Sequence, residues 1–252
     1  MNKIFLSVII PSYNEMANLQ KGVLDKVEHF LDKQKIDYEV IISDDGSTDG
    51  STEFEEKFVK ENPKFKLLKN PHLGKAGAVT EGMLSASGEY ALFTDMDQAT
   101  PIEELNKLLP FVDKYDIVIG SRNSTRKGAP FSRLLMAKGM MVLRSLIVGV
   151  RGINDTQCGF KLFRKSVSDK LFLKLKNFHH GYKKISGSSV KAGFDVELLF
   201  LAQKMNFKIK EVPVEWLYVE TRRVSPIKDS VEALEDLVRI KFNNILGKYK
   251  NI

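Results

Sequence analysis

Five short strand-like runs, Phe5–Ile10, Glu39–Ser43, Phe65–Lys69, Tyr90–Thr94 and Ile117–Ser121, alternate with helix-patterned stretches near Ala17–Lys33, Ser51–Glu61, Lys75–Ala86 and Ile102–Val112. Parallel strands need a crossover connection, so repeated strand–helix units select an α/β fold with a mainly parallel, doubly wound sheet flanked by helices. Ligands of such sheets bind beyond the carboxyl ends of the strands, near the point where strand order reverses. A chain of 252 residues can bury a substantial core, as one large domain or one domain with a C-terminal extension.

The chemically loaded segments fall at those strand ends. Pro11-Ser-Tyr-Asn-Glu15 follows the first run, Asp44-Asp-Gly-Ser-Thr-Asp49 the second and Asp95-Met-Asp97 the fourth. Residues two apart on an extended segment point to one side, which aims Asp95 and Asp97 together. Two carboxylates on one side suit a Mg²⁺ or Mn²⁺ ion that also holds a diphosphate. Asp-x-Asp alone also decorates ordinary turns, and its company in three neighbouring loops is what favours a ligand role. Lys75, between Gly74 and Gly77 at a predicted helix start, lies where backbone amides and an ammonium together favour an anion.

Charge is distributed unevenly. The net +7 equals the seven cations Arg122, Arg126, Lys127, Arg133, Lys138, Arg144 and Arg151, in an interval between Asp116 and Asp155 that holds no acidic residue. A local excess of this kind points to an anionic partner. Leu, Met and Val are interleaved with these cations and stacking aromatics are scarce, which argues against nucleic acid as that partner. Phe131–Val150 is apolar over most of a helical circumference; core burial alone would explain this, and partial insertion at a membrane surface, its arginines and lysine reaching headgroups, is the expectation favoured. No uncharged apolar run approaches the roughly 18 residues needed to span a bilayer. Ile4–Ile10, cut short by Pro11, Asn14 and Glu15, is a strand rather than a secretory signal. The single cysteine, Cys158, excludes an internal disulfide framework, fits a reducing compartment and is expected to be a packed residue.

Beyond Ser121 the alternation weakens. A helix is expected at Phe194–Met205, a strand at Lys208–Val214 and a flexible loop at Lys183–Ala192. An amphipathic helix runs from Ser225, with Val231, Leu234, Val238 and Ile245 on roughly one face. This divides the chain into a catalytic domain, residues 1–222, and a C-terminal helix and tail, residues 223–252. His179 and His180 are expected in a loop, with no Cys or carboxylate spaced to form a metal site.

Taken together, the segments resemble glycosyltransferase family 2, whose members share the Rossmann-like GT-A nucleotide-sugar-binding fold. Ser7–Glu15 and Ile41–Asp49 look like its two nucleotide signatures, Gly74–Ala78 like its donor-side loop and Asp95–Asp97 like its metal motif. Gly120-Ser-Arg122, Asp155-Thr-Gln-Cys-Gly-Phe-Lys161, Phe194-Asp-Val-Glu197 and Val212-Pro-Val-Glu-Trp216 are similar to the branch that glycosylates dolichyl or other polyprenyl phosphates. Gln98 stands where that branch usually has a small residue. Eukaryotic members carry an N-terminal membrane anchor, so membrane attachment of the chain read here is expected from elsewhere, or to be weak.

The resemblance implies a metal-dependent, inverting hexosyltransferase moving glucose from UDP-glucose onto a polyprenyl phosphate at the cytoplasmic face of a membrane. Mannosyl transfer from GDP-mannose and a soluble or polysaccharide acceptor stay open as alternatives. It implies that Pro11, Tyr13, Glu15, Asp44, Asp45, Lys75, Asp95 and Met96 bind the nucleotide donor, with Tyr13 covering the base and Glu15 and Asp45 accepting hydrogen bonds from base or ribose. Asp95 and Asp97 hold Mg²⁺ or Mn²⁺. A lipid phosphate is largely dianionic at neutral pH and needs positioning charge more than a strong base. Arg122 and Arg133 are the residues chosen for that task, with Arg126, Lys127, Gln157 and Lys161 beside them. Asp195 falls near where related enzymes place a base, and is grouped with Asp97, Arg122 and Arg133 as catalytic. Trp216 is expected to stack on sugar or lipid, or to pack. The oligomeric state is not legible.

Overall fold

The computed structural model describes residues 3–122, 139, 141, 143–184, 193–217 and 226–249, with side chains from 231 onward in the last stretch. Among these, β1 (Leu6–Ser12), β2 (Tyr38–Asp44), β3 (Phe65–Lys69), β4 (Tyr90–Thr94), β5 (Ile117–Ser121), β6 (Phe160–Arg164) and β7 (Ile209–Pro213) form one sheet. Its order is β3-β2-β1-β4-β6-β5-β7. β6 is antiparallel to β4 and β5, and every other pairing is parallel. The winding reverses between β1 and β4, which makes the carboxyl ends of those two strands the natural crevice.

Side-chain alternation along each strand feeds two cores. Leu6, Val8 and Ile10 of β1 enter one cluster with Val40, Leu92 and Phe160, against Val27 and Leu31 of α2 (Val23–Asp32) and Phe58 of α3 (Ser51–Glu61). Ile9, Ile41, Phe93 and Phe163 enter the other, against α4 (Gly74–Ser85), α6 (Lys165–Phe178), α7 (Gly193–Lys204) and α8 (Pro226–Ile245). Full burial of a Leu, Ile or Phe side chain stabilises by about 1.5–3 kcal/mol, so these two faces dominate the stability of the fold.

Several elements differ from the expectation for physical reasons. The long first helix is two, α1 (Met16–Leu19) and α2, because Gly22 takes a left-handed φ of 68° between them. Ile102–Val112 is one turn of helix, α5 (Leu105–Leu108), between two 3₁₀ turns, the second holding Pro110. Pro11 and Ser12 belong to β1 rather than to the loop after it. Proline is tolerated there because β4 pairs with β1 only as far as Ile9, so no ladder partner faces the missing N–H. Phe160–Arg164 and Lys165–Phe178 are a strand and a helix that the weakened alternation did not reveal.

The expected C-terminal helix is present as α8, and it is part of the main body. Leu237 and Ile240 are buried in the second core, whereas the face with Val231, Leu234, Val238 and Ile245 is the exposed one, joined by Phe242. Beyond the helix Tyr249 is buried and donates to Glu197, whose other oxygen lies 2.8 Å from Nε2 of His179. His179, in the turn after α6 as expected, is thus also a packing partner of α7.

At the opposite edge of the sheet Glu39 is buried, accepting from Ser7 Oγ at 2.6 Å, Ser87 N at 2.7 Å and Lys66 Nζ at 2.6 Å. It ties β1, β2, β3 and the approach to β4 together. Burial alone would raise its pKa, but the hydrogen bonds from Lys66, Ser7 and Ser87 outweigh it and hold the carboxyl down at about 2. A depressed carboxyl contributes stability that is present above the ordinary pKa near 4.5 and lost as pH falls toward about 2. Glu39→Gln is therefore expected to lower stability at pH 7 by about 2 kcal/mol and to flatten its decline between pH 5 and 2. Denaturant titrations across that range check this, and an unchanged acid limb would contradict it.

Candidate active site

The carboxyl ends of β1 and β2 build one platform from hydrogen bonds between loops. Asn14 N donates to Ser47 Oγ at 2.9 Å, Thr48 N to Asn14 Oδ1 at 2.8 Å and Glu15 N to Ser51 Oγ at 2.9 Å. Asp44, at the end of β2, is buried and accepts from Ser47 Oγ at 2.5 Å and Thr52 Oγ1 at 2.9 Å. The turn-and-cap role open to an Asp-Asp-Gly-Ser string is the one its side chain performs.

Asp45 organises the next loop. Its carboxylate accepts from Leu73 N at 2.6 Å and Gly74 N at 2.8 Å and lies 3.0 Å from Nδ1 of His72. Expected to meet a base or ribose, it also fixes the segment that leads into α4. His72 in turn stacks on Tyr13, with ring centroids 4.4 Å apart at 14°. Tyr13 therefore presents a paired aromatic face at the crevice. Glu15, half-buried beside it, accepts from Asn18 Nδ2 at 2.6 Å.

Asp95 and Asp97 lie just past β4 in a turn closed by Gln98 N donating to Asp95 O at 3.2 Å. The two-apart rule for extended chain does not describe them. Asp95 meets Lys75, in the first turn of α4, whose Nζ is 2.6 Å from Asp95 Oδ1. Burial would lower the Lys75 pKa, but Asp95, Asp195 and Asp97 together raise it above the usual value. Asp97 Oδ1 accepts from Ala99 N at 3.0 Å. Gln98 takes a φ of 47°, and its Nε2 donates back to Asp95 O at 2.9 Å. The side chain of Met96, a residue expected to bind the donor, is buried in the first core.

β6 closes the site from beneath. Gly159 lies directly under Asp95: a Cβ there would fall 2.0 Å from Asp95 Oδ2. Lys161 has a fully buried side chain that donates to Asp195 Oδ1 at 2.6 Å and Cys158 O at 2.5 Å. Burial corrects its expected role, since it cannot reach an acceptor and instead positions Asp195 at the start of α7. Arg122, at the end of β5, forms a two-pronged pair with Asp155, Nε–Oδ2 2.7 Å and Nη2–Oδ1 2.8 Å. Burial alone would raise the Asp155 pKa, yet the guanidinium holds it far below the usual carboxylate range. The charge expected to meet an acceptor phosphate is matched inside the protein. Gln157 is exposed nearby. Cys158 is buried, and burial pushes its thiol up to about 11, so it is a packed thiol as expected.

Of the remaining cations, Arg126, Lys127, Arg133 and Lys138 lie outside the described residues, as do all of 131–138 and positions 140 and 142. Arg144 is buried, donating to Ile153 O at 2.7 Å and Thr156 Oγ1 at 2.9 Å, which corrects its expected reach toward headgroups. Its neighbours Leu143 and Leu146 are exposed. Most of the loop at 183–192 is likewise outside the described residues, and Trp216 is half-buried.

Glu55 is a site residue that pattern reading missed. It is fully buried on α3, with Ser12 Oγ donating to it at 2.5 Å. Burial raises its pKa to about 8, so it is mainly protonated at neutral pH. The signal was available: Ser51, Glu55 and Phe58 share one helix face, and that face is buried. His72 and Gly159 carried no comparable signal.

The carboxylate pair fits a divalent cation. Asp95 already accepts an ammonium as a stand-in charge, and both ligands are hard oxygens suited to Mg²⁺ or Mn²⁺. Among the described residues no group of three or more ligating side chains converges, so a ligand's oxygens and water would complete the shell, as is usual for Mg²⁺ with phosphates.

Comparison with known proteins gives a consistent picture. Residues 7–172 match the model for Glycosyl transferase family 2. A dolichyl-phosphate beta-glucosyltransferase of Dictyostelium discoideum is 34% identical over 268 residues, covering 99% of this chain and 78% of the relative. The Homo sapiens protein of that name is 33% identical, over 97% of this chain and 77% of the relative. Mannosyl-3-phosphoglycerate synthase from Rubrobacter xylanophilus shares the fold, with a TM-score of 0.63 at 14% identity over 97% of this chain and 75% of that one. The expected GT-A fold is the fold observed.

Gly159→Ala is expected to push the Asp95 carboxylate away from Lys75. If the carboxylate pair holds Mn²⁺, the substitution should weaken that binding by about tenfold or more, with the far-ultraviolet circular dichroism preserved. Unchanged binding by calorimetry would show that the position of Asp95 does not matter.

Proposed function

The chain belongs to glycosyltransferase family 2, and we propose that this hexosyltransferase moves glucose from UDP-glucose to dolichyl phosphate or a similar polyprenyl phosphate, with inversion and with Mg²⁺ or Mn²⁺. The observation that carries the reading is likeness across nearly the whole chain, well past residue 172, to enzymes named for that donor sugar and acceptor.

The site supports it chemically. The Tyr13–His72 stack offers a face for the base, and the Asp45-fixed loop brings Lys75 to the diphosphate. A metal on Asp95 and Asp97 would neutralise charge building on the leaving nucleoside diphosphate. One oxygen of the lipid phosphate forms the new bond to the anomeric carbon. The bond from that carbon to the diphosphate oxygen breaks, its electron pair departing with UDP. Attack from the face opposite the leaving group inverts the configuration. A phosphate dianion needs no strong base, so Asp195, held by Lys161, serves to set the charge around Lys75. Arg126, Lys127 and Arg133 supply the charge that positions the acceptor phosphate.

A lipid acceptor requires work at a membrane, and we place the enzyme on its cytoplasmic face. No helix among the described residues is long and apolar enough to cross one. Exposed Leu143, Leu146, Val238 and Phe242 are surfaces suited to lie against it.

Labelled UDP-glucose with a short-chain polyprenyl phosphate should give a lipid-extractable β-glucosyl product, and GDP-mannose should give little. Transfer from GDP-mannose alone, or only to a soluble acceptor, would contradict the proposal. Asp97→Ala should lower turnover by about 100-fold or more without a matching loss of thermal stability. Near-normal turnover of the wild type after chelation would remove the metal assignment.

A further inference from the structure

The Lys75–Asp95 contact sets a conflict that the catalytic reading leaves unresolved. Nζ of Lys75 sits 2.6 Å from Asp95 Oδ1, where a metal ligand must offer its electrons. The carboxylate has little room to evade it, since its other oxygen rests against Gly159, closely enough that a Cβ there would meet it at 2.0 Å. The other charged pairs nearby are settled: Asp195 is held by Lys161 and Asp155 by Arg122. Among the described residues, Lys75 feels the charge of Asp95, Asp195 and Asp97 together. An ammonium and a divalent ion cannot occupy the same side of Asp95 Oδ1, because two cations at contact distance repel strongly in a partly buried site.

Resting on the metal-dependent reading above, we infer that Lys75 holds the metal's place on Asp95 in the free enzyme, and that the donor diphosphate draws it off as the metal enters. Lys75 is suited to the exchange. Its charge is a compact point on a flexible four-carbon stem, and its base is fixed in the first turn of α4 beside the Asp45-held loop. A diphosphate at that helix start offers the ammonium a new anion. Metal and donor therefore bind as a coupled pair, each strengthening the other by the same factor. The free enzyme takes up little metal and keeps Asp95 neutralised.

The test is Mn²⁺ binding to the full chain, followed by electron paramagnetic resonance of the free ion, with and without UDP. The proteins are wild type, Lys75→Met, Lys75→Gln and Lys75→Arg, each checked by its melting temperature. Without UDP, Lys75→Met and Lys75→Gln are expected to bind Mn²⁺ about tenfold or more tighter than wild type. Lys75→Arg, which keeps the cation, should stay weak. The strengthening of Mn²⁺ binding by UDP should shrink in the two neutral variants. Folded neutral variants with wild-type Mn²⁺ affinity in the absence of UDP would overturn the exchange while leaving the metal site standing. Failure of every protein to bind Mn²⁺, even with UDP, would overturn both.

Discussion

A fully buried ammonium has to find an anion, and the pairing of Lys161 with Asp195 answers that demand at the centre of this molecule. Lys161 sits mid-strand on β6, the antiparallel strand between β4 and β5, with its head 5.0 Å from the ring centre of Phe93. Removing either partner would leave an uncompensated charge in the second core. The pair also fixes the start of α7 against the sheet and brings Asp195 within electrostatic reach of Lys75. Through it, packing of the second core and charge at the crevice become one problem.

From that anchor the site reads as a series of matched charges converging on a strand-order reversal. Arg122 with Asp155, Lys161 with Asp195 and Lys75 with Asp95 are each closed pairs, so the floor carries little unmatched charge. Of the three, Lys75 and Asp95 both retain substantial exposure, about 28% and 34% of their side chains. It is the pair that an incoming anion and cation can rearrange. The deeper two hold still while that happens. Glu55, protonated and buried under Ser12, adds no charge to the platform it supports.

The alternation of β-rich and helical runs was enough to place Phe65–Lys69, Tyr90–Thr94 and Ile117–Ser121 as strands and Ser51–Glu61 as a helix with the bounds observed. Burial on both faces of a parallel sheet leaves a strong compositional trace. β6 left none, because Phe160-Lys-Leu-Phe-Arg164 places a lysine at a position that composition assigns to solvent. The clustering of ligand-type residues at strand ends was legible too, but their partners were not. Arg122 and Asp155 are 33 residues apart, and Lys161 and Asp195 are 34 apart, distances over which spacing says nothing about contact. That is why Arg122 and Lys161, read as available cations, turned out to be paired with carboxylates of the chain itself. Met96 shows the same limit: a residue inside a ligand motif still obeys the core beneath it.

The central claim is that the ends of β1, β2 and β4, with β6 below, form one nucleotide–metal site. A crystal structure with UDP and Mn²⁺, the metal located by anomalous scattering, tests this most directly. The account predicts Mn²⁺ on Asp97 and Asp95 bridging to the diphosphate, the base against Tyr13, and Lys75 moved from Asp95 to phosphate. Nucleotide or metal bound away from these residues, with Lys75 still on Asp95, would contradict it.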